Sequence, residues 1–232
     1  MPTPAGVRLE VFEPQSPSIH YVGDAVPLLA EVRDAQELPV DYEDIVWLAQ
    51  GYGPTLWVGP DGEVELPPGA YDVTATARLA NGDHLVATVG GVRVQTRWTG
   101  TYEGSTTMVM NAMFAGLPIS PRCVGPLALR VDYDGEQVLA TGGSCSLNAV
   151  ILTLDATYEL TGSFANGVGT GTIDYDLGGI FSLSFDWTGA FVDDRFRGTF
   201  VGDTSFPLVG DIAVEGEFDA PLLSPWLEEP AP

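Results

Sequence analysis

Almost nowhere along the chain do apolar residues keep the 3.6-residue period of a helix for three turns. Short runs in which apolar and polar positions alternate, separated by Gly, Pro, Asn and Asp, dominate instead. That pattern predicts an all-β protein. The style of strand changes near Arg97. The expected organisation is therefore a first domain over 1–97, a second over 98–222, and an acidic, Pro-rich tail over 223–232.

The second domain is the more distinctive. Residues 187–203 read WTGAFVDDRFRGTFVGD. With Asp193-Asp194 as a two-residue hairpin loop, Gly189 faces Gly198, Phe191 faces Phe196 and Trp187 faces Phe200, all on one side of the sheet. Asn166-Gly167 in SFANGVGTGTIDYD is a second hairpin signal, and it sets Gly162 against Gly171 and Leu160 against Ile173. The Gly-x-aromatic unit recurs at Gly100, Gly162, Gly189, Gly198 and Gly216. A glycine on the apolar face leaves a gap that aromatics can cover and lets the strand bend. Nine strands are expected, over 98–109, 126–133, 137–144, 147–154, 157–165, 168–176, 180–191, 195–202 and 210–219. Such a meander predicts a small up-and-down barrel, which removes the bare edges; a second β-sandwich is the alternative. The inward aromatics Phe181, Phe185, Trp187, Phe191, Phe196 and Phe200 argue against a roomy cavity.

Residues 6–96 carry VRLEVFEP, VGDAVPLLAEVRD, DIVWLAQ and LPPGAYDVTATARLANGDHLVATVGGVRVQ. These segments resemble the bacterial Ig-like and PKD-type β-sandwich modules of surface proteins. The resemblance implies that Trp47 is the central core tryptophan and that Tyr71 forms a tyrosine corner, with no core disulfide. The residues agree: Val73, Ala75 and Ala77 alternate with Asp72, Thr74 and Thr76, giving one buried and one wet face. In the second domain, WTGTY is faintly similar to the opening strand of lipocalin- and avidin-like barrels, a match too short to carry ligand residues across.

Charge narrows the partners. The net charge is −23, and all nine basic residues are arginines. Acids are spread along the chain, 14 against five arginines in residues 1–97 and 18 against four in the remainder. Nucleic acid and anionic lipid would be repelled, and no apolar run reaches the length of a membrane span. The start, MPTPAGV, suits either a cytosolic N-terminus or a chain whose signal or lipoprotein leader has been removed. Cys123 and Cys145 are the two cysteines. An Asp134-Gly135 hairpin pairing Val131 with Val138 would bring them within one residue of directly opposite. A bulge would then permit a disulfide worth about 2–4 kcal/mol; two unpaired thiols are the alternative.

Candidate chemistry is sparse. Two histidines, His20 in an expected loop and His84 near a hairpin tip, give no catalytic triad, and the familiar nucleophile, zinc and phosphate motifs do not occur. No catalytic residue is assigned, and the protein is expected not to be an enzyme. No cofactor is expected, and calcium is the ion its acids would suit. The candidate ligands are Asp132, Asp134, Asp193 and Asp194, with Asp41, Glu43, Asp44, Asp203 and Asp211 behind them. Each also reads as ordinary turn chemistry. Trp57 and Trp226, near loops and outside the alternation, are the candidate binding residues for a glycan or protein surface.

Three functional classes remain. The leading one is a non-enzymatic secreted, periplasmic or cell-surface bacterial protein, a lipoprotein if a leader precedes it, acting in adhesion, display or assembly. Its partner would be a protein or glycan surface, or its own assembly. The others are a glycan- or small-ligand-binding protein and a phage virion structural or decoration protein.

Overall fold

The computed structural model describes residues 6–53, 55–136, 142–149, 152–206 and 210–227. The chain divides into two compact units, Met1–Arg97 and Trp98–Pro232, and among the described residues every regular element is a strand.

The first unit is an immunoglobulin-like sandwich. Its strands are β1 (Arg8–Glu13), β2 (Ser18–Tyr21), β3 (Val26–Arg33), β4 (Asp44–Ala49), β5 (Trp57–Val58), β6 (Asp61–Val64), β7 (Gly69–Arg78) and β8 (His84–Gln95). One sheet runs β1-β3-β6 and the other β2-β8-β7-β4-β5. Trp47 is fully buried between them, and its indole N–H donates to the Gly59 carbonyl at 2.9 Å. The Tyr71 hydroxyl donates to the Pro67 carbonyl, four residues upstream, at 2.7 Å. That is the tyrosine corner its position implied. Val73, Ala75 and Ala77 are buried, while Thr74 and Thr76 lie on the wet face. His20 differs from expectation: it sits on β2, paired in parallel with Val94 of β8, because the four residues 18–21 complete the sheet edge.

The second unit is an antiparallel barrel. Its strands are β9 (Gly100–Phe114), β10 (Leu117–Ile119), β11 (Arg122–Val131), β12 (Gly142–Ala149), β13 (Leu152–Ala165), β14 (Val168–Leu177), β15 (Phe181–Val192), β16 (Arg195–Phe206) and β17 (Gly210–Ser224). Ladders run β12-β13-β14-β15-β16-β17-β9-β11, with β10 folded back on the end of β9. The two local hairpins have the expected registers. Gly189 pairs with Gly198, Phe191 with Phe196 and Trp187 with Phe200; Gly162 pairs with Gly171 and Leu160 with Ile173. Asn166, Asp193 and Asp194 have φ of 52°, 49° and 57°, the left-handed turn conformation that suits strand twist.

Strand boundaries depart from expectation in several places, among them β9, which runs past 109 to Phe114, and β10, an added strand at Leu117–Ile119. The strands expected at 147–154 and 157–165 are divided differently, and β13 runs unbroken from residue 152. Its inward series Ala156, Tyr158 and Leu160 is continuous with Leu154, so Asp155 is simply an outward residue and not a turn. Residues 122–125 extend β11 upstream of the expected start. The tail begins later than 223, because β17 continues to Ser224, pairs there with Thr101, and is followed by a buried Leu227. The expected pairing of Val131 with Val138 lies outside the described residues.

The eighth seam, between β11 and β12, closes the barrel. Cys123 and Cys145 form a disulfide across it with Cα atoms 5.5 Å apart. The strands approach closely because Gly125 and Gly143 stand at the seam: a Cβ on Gly125 would lie 2.7 Å from the Ser144 carbonyl oxygen, and one on Gly143 would lie 2.6 Å from that of Pro126. Tyr158 packs against both glycines and donates its hydroxyl to the Pro126 carbonyl.

Inward glycines lie directly under aromatic rings. Gly162 backs onto Trp187, Gly189 onto Phe196, Gly198 onto Phe218, Gly202 onto Phe185 and Gly216 onto Phe200. Ring centroids of Phe164 and Phe191 are 4.8 Å apart, and those of Phe200 and Phe218 are 5.5 Å apart. Phe181, expected inward with these, has the right parity but lies at the end of β15 and is 36% exposed.

Two outcomes test this packing. Gly189→Val should destabilise the barrel by about 1–3 kcal/mol or more through overpacking against Phe196, leaving the sandwich transition unchanged in a two-probe denaturant titration. Cys123→Ala with Cys145→Ala should lower barrel stability by about 3 kcal/mol, again without moving the sandwich transition.

Candidate binding surface on the barrel

The inside of the barrel is core. Tyr102 donates its hydroxyl to the Trp98 carbonyl at 2.8 Å, and the Trp98 indole donates to Gly135 at 3.0 Å. The Trp187 indole donates to the Thr161 carbonyl at 2.9 Å. Packing of this density is that of a protein interior.

The outside of the barrel carries open grooves. Directly behind the Gly189–Gly198 pair, an open groove of about 550 Å³ runs over β14 to β17. Its floor is the glycine backbone, and its walls include Thr188, Thr199, Arg197, Glu217 and Asp219. The ladders align Ser163, Thr170, Thr188 and Thr199 in one row across four strands, continued by Glu217. Successive hydroxyls in such a row repeat at the strand spacing, about 4.8 Å. Asp219 holds one wall in place. Arg195 grips it through two hydrogen bonds of 2.9 and 2.7 Å, and Arg197 lies 3.6 Å from it with its side chain 60% exposed. The hydrogen bond from Arg195 holds the Asp219 carboxyl below the ordinary carboxylate range. At this exposure solvent screens the pair, and it contributes little to stability. The exposed guanidinium of Arg197 lines the groove beside this pair. The arrangement offers hydroxyls, a cation and carboxylates on a small-residue floor, the chemistry for hydrogen bonding to a polar ligand or chain.

A second open groove, about 520 Å³, crosses β12 to β15. Glu159 stands directly opposite Asp174 there, and Asp176 opposite Ser182, so this groove repels anions.

The residues singled out from the sequence are scattered. Trp57 is in the sandwich, where its indole donates to the Asp61 carbonyl at 2.8 Å and its ring lies on Gly62 of the facing sheet's edge strand, with 40% of the residue exposed. Trp226 is half-buried just after β17, where its backbone N–H donates to the Ser224 hydroxyl at 3.1 Å. Asp132 and Asp134 accept backbone N–H bonds from Tyr133 and Glu136, and Asp193 and Asp194 form the β15–β16 turn. Antiparallel topology brings all four to one end of the barrel. Among the described residues no three His, Cys, Asp or Glu side chains converge as metal ligands. His84 is exposed at the start of β8, and burial lowers the pKa of His20. Arg197, Thr188, Thr199 and Glu217 were not singled out by sequence reasoning. Their signal was the outward parity opposite the glycines.

Neither a family model nor a curated protein matches the sequence. Among solved structures, the fibronectin(III)-like modules of CbhA from Clostridium thermocellum align at 11% identity and TM-score 0.34, over 77% of this chain and 90% of that one. The isotype 1 transferrin binding protein B from serogroup B Neisseria meningitidis aligns at 12% identity and TM-score 0.31, over 84% of this chain and 50% of that one. This chain thus spans half the length of the second. Likeness at these scores extends to neither function nor partner.

The buried tyrosines supply a test of the filled interior. Burial pushes Tyr158 up to about 12 and also raises Tyr102 and Tyr175. An unfolded tyrosine ionises near about 10, so the stability these groups contribute is complete below that pH and is lost as pH rises through their folded values. Spectrophotometric titration should show these tyrosines ionising only at or above about pH 12 or together with unfolding. A smooth titration of every tyrosine near the ordinary value in folded protein would contradict a packed interior.

Proposed function

We propose that the protein is a non-enzymatic secreted or cell-surface module for adhesion, display or assembly, in which the sandwich spaces or docks and the barrel presents its outer face to a polar partner. The observation carrying this reading is the aromatic filling of the barrel. A filled lumen supports recognition at the surface over the interior, where small-ligand barrels bind. The disulfide across the β11–β12 seam supports an oxidising location, and the acidic skin supports solubility in one. The hydroxyl row and Arg197 favour a glycan, or the polar face of a protein, as the ligand of the β14–β17 groove.

The test is binding of the purified protein to a panel of polysaccharides and surface proteins, with calcium and then with chelator. Binding to one class is expected, falling about tenfold or more in Arg197→Ala, the order of a lost charge-assisted hydrogen bond, with an unchanged melting temperature. Retained binding in that variant would remove the groove from the reading. Dependence on calcium would assign a role to the turn carboxylates. Stoichiometric uptake of a small apolar ligand would overturn the surface reading, and two free thiols in the native protein would point to assembly in a reducing compartment, as in a virion.

A further inference from the structure

The two ends of the barrel differ in chemistry. Strands β9, β14 and β16 finish at one end, where β11, β15 and β17 begin, as the pairs Val109–Arg122, Leu177–Phe181 and Phe206–Gly210 require. The opposite end carries Asp132, Asp134, Glu136, Asp193 and Asp194, and the chain also joins and leaves the barrel there, at Gly100 and Ser224.

The first end is apolar at its tips. From Gly104 to Pro121 eighteen successive residues carry no charge. The β9–β10 hairpin in this stretch pairs Ala112 with Ile119, Met113 with Pro118 and Phe114 with Leu117. These pairs lie beyond Asn111–Ala213, the last pair of β9 with β17. Met113 is 55% and Leu117 68% exposed. The β14–β15 turn adds Ile180, 68% exposed, and Phe181.

Geometry decides what such an end can meet. The hairpin and the β14–β15 turn are four strands apart in a ring of eight, hence on opposite sides of a cylinder about 15 Å across. A pocket fits one tip; a fluid apolar layer takes both. Charge decides which layer. Exposed carboxylates, Asp155, Asp176, Asp203 and Asp211, line the arc of this rim from β13 to β17, and Arg122 is the cation among the described residues near it. Such a collar repels anionic headgroups and meets the outermost ammonium groups of zwitterionic ones. A second copy stacked end to end would set the two collars against each other.

We propose that this end of the barrel docks in the interface of a zwitterionic lipid bilayer, with the β9–β10 and β14–β15 tips entering the headgroup layer. Docking here leaves the β14–β17 groove free, so the inference goes beyond the proposed function and stands or falls separately from it.

The experiment is co-sedimentation of the full chain with phosphatidylcholine vesicles and with vesicles enriched in phosphatidylglycerol. The wild type should bind the first, bind the second less at low salt, and recover on the second as salt screens the collar. Leu117→Ser with Ile180→Ser should lose about tenfold or more, consistent with two apolar side chains withdrawn from the interface. Its melting temperature should not change, because both residues are exposed. Asp193→Asn at the far end should bind as the wild type does. No binding to phosphatidylcholine, binding retained by the double variant, or stronger binding to the anionic vesicles at low salt would overturn the proposal. So would vesicle-free self-association abolished by the same two substitutions, which would assign the end to a second copy.

Discussion

An eight-stranded barrel can be filled by its own side chains, and the large rings inside this one lie against positions with almost no volume. Glycine supplies those positions. Gly162 under Trp187, Gly198 under Phe218 and Gly216 under Phe200 are places where any Cβ would collide with a ring or a carbonyl. Glycine also lets a strand bend tightly, as closing a small barrel requires. Inner packing and curvature therefore share one cause.

Closure is the second constraint. A meander of this length would otherwise expose two edges ready to pair with another chain. The β11–β12 seam is brought together by glycines on both strands, a tyrosine hydroxyl and the disulfide. The sandwich deals with its edges differently. Its β5 has two residues, and Trp57 lies across the neighbouring sheet's edge on Gly62.

Charge is distributed with the same economy. Arg8, Arg33, Arg78, Arg195 and Arg197 stand in ion pairs, Arg97 lies over the ring of Tyr21, and the remaining three also have partners. With so few cations against 32 acids, the surface is acidic nearly everywhere. The two departures are the β14–β17 groove, where Arg197 stays largely exposed beside Asp219, and the uncharged tips at one barrel end. Both stand out because of what surrounds them.

Local pairings were legible in the sequence. The turns at Asn166-Gly167 and Asp193-Asp194 fix the register of the strands on either side, so the facing of Gly189 with Gly198 and the parity of Trp187, Phe196 and Phe200 follow from alternation alone. Trp47 and Tyr71 were legible through the resemblance of residues 6–96 to Ig-like and PKD-type modules, which implies a central tryptophan and a tyrosine corner. Pairings between distant segments were not. That β17 returns to β9 and that Gly125 lies against Ser144 depend on closing the ring, and loop-closing contacts leave no periodic trace in the chain. The candidate surfaces inherit this limit: Thr188, Arg197 and Glu217 come from three strands, and Leu117 and Ile180 from two connections more than sixty residues apart. Alternation along a strand determined which residues face outward; only the closed barrel decided which of them share a groove or an end.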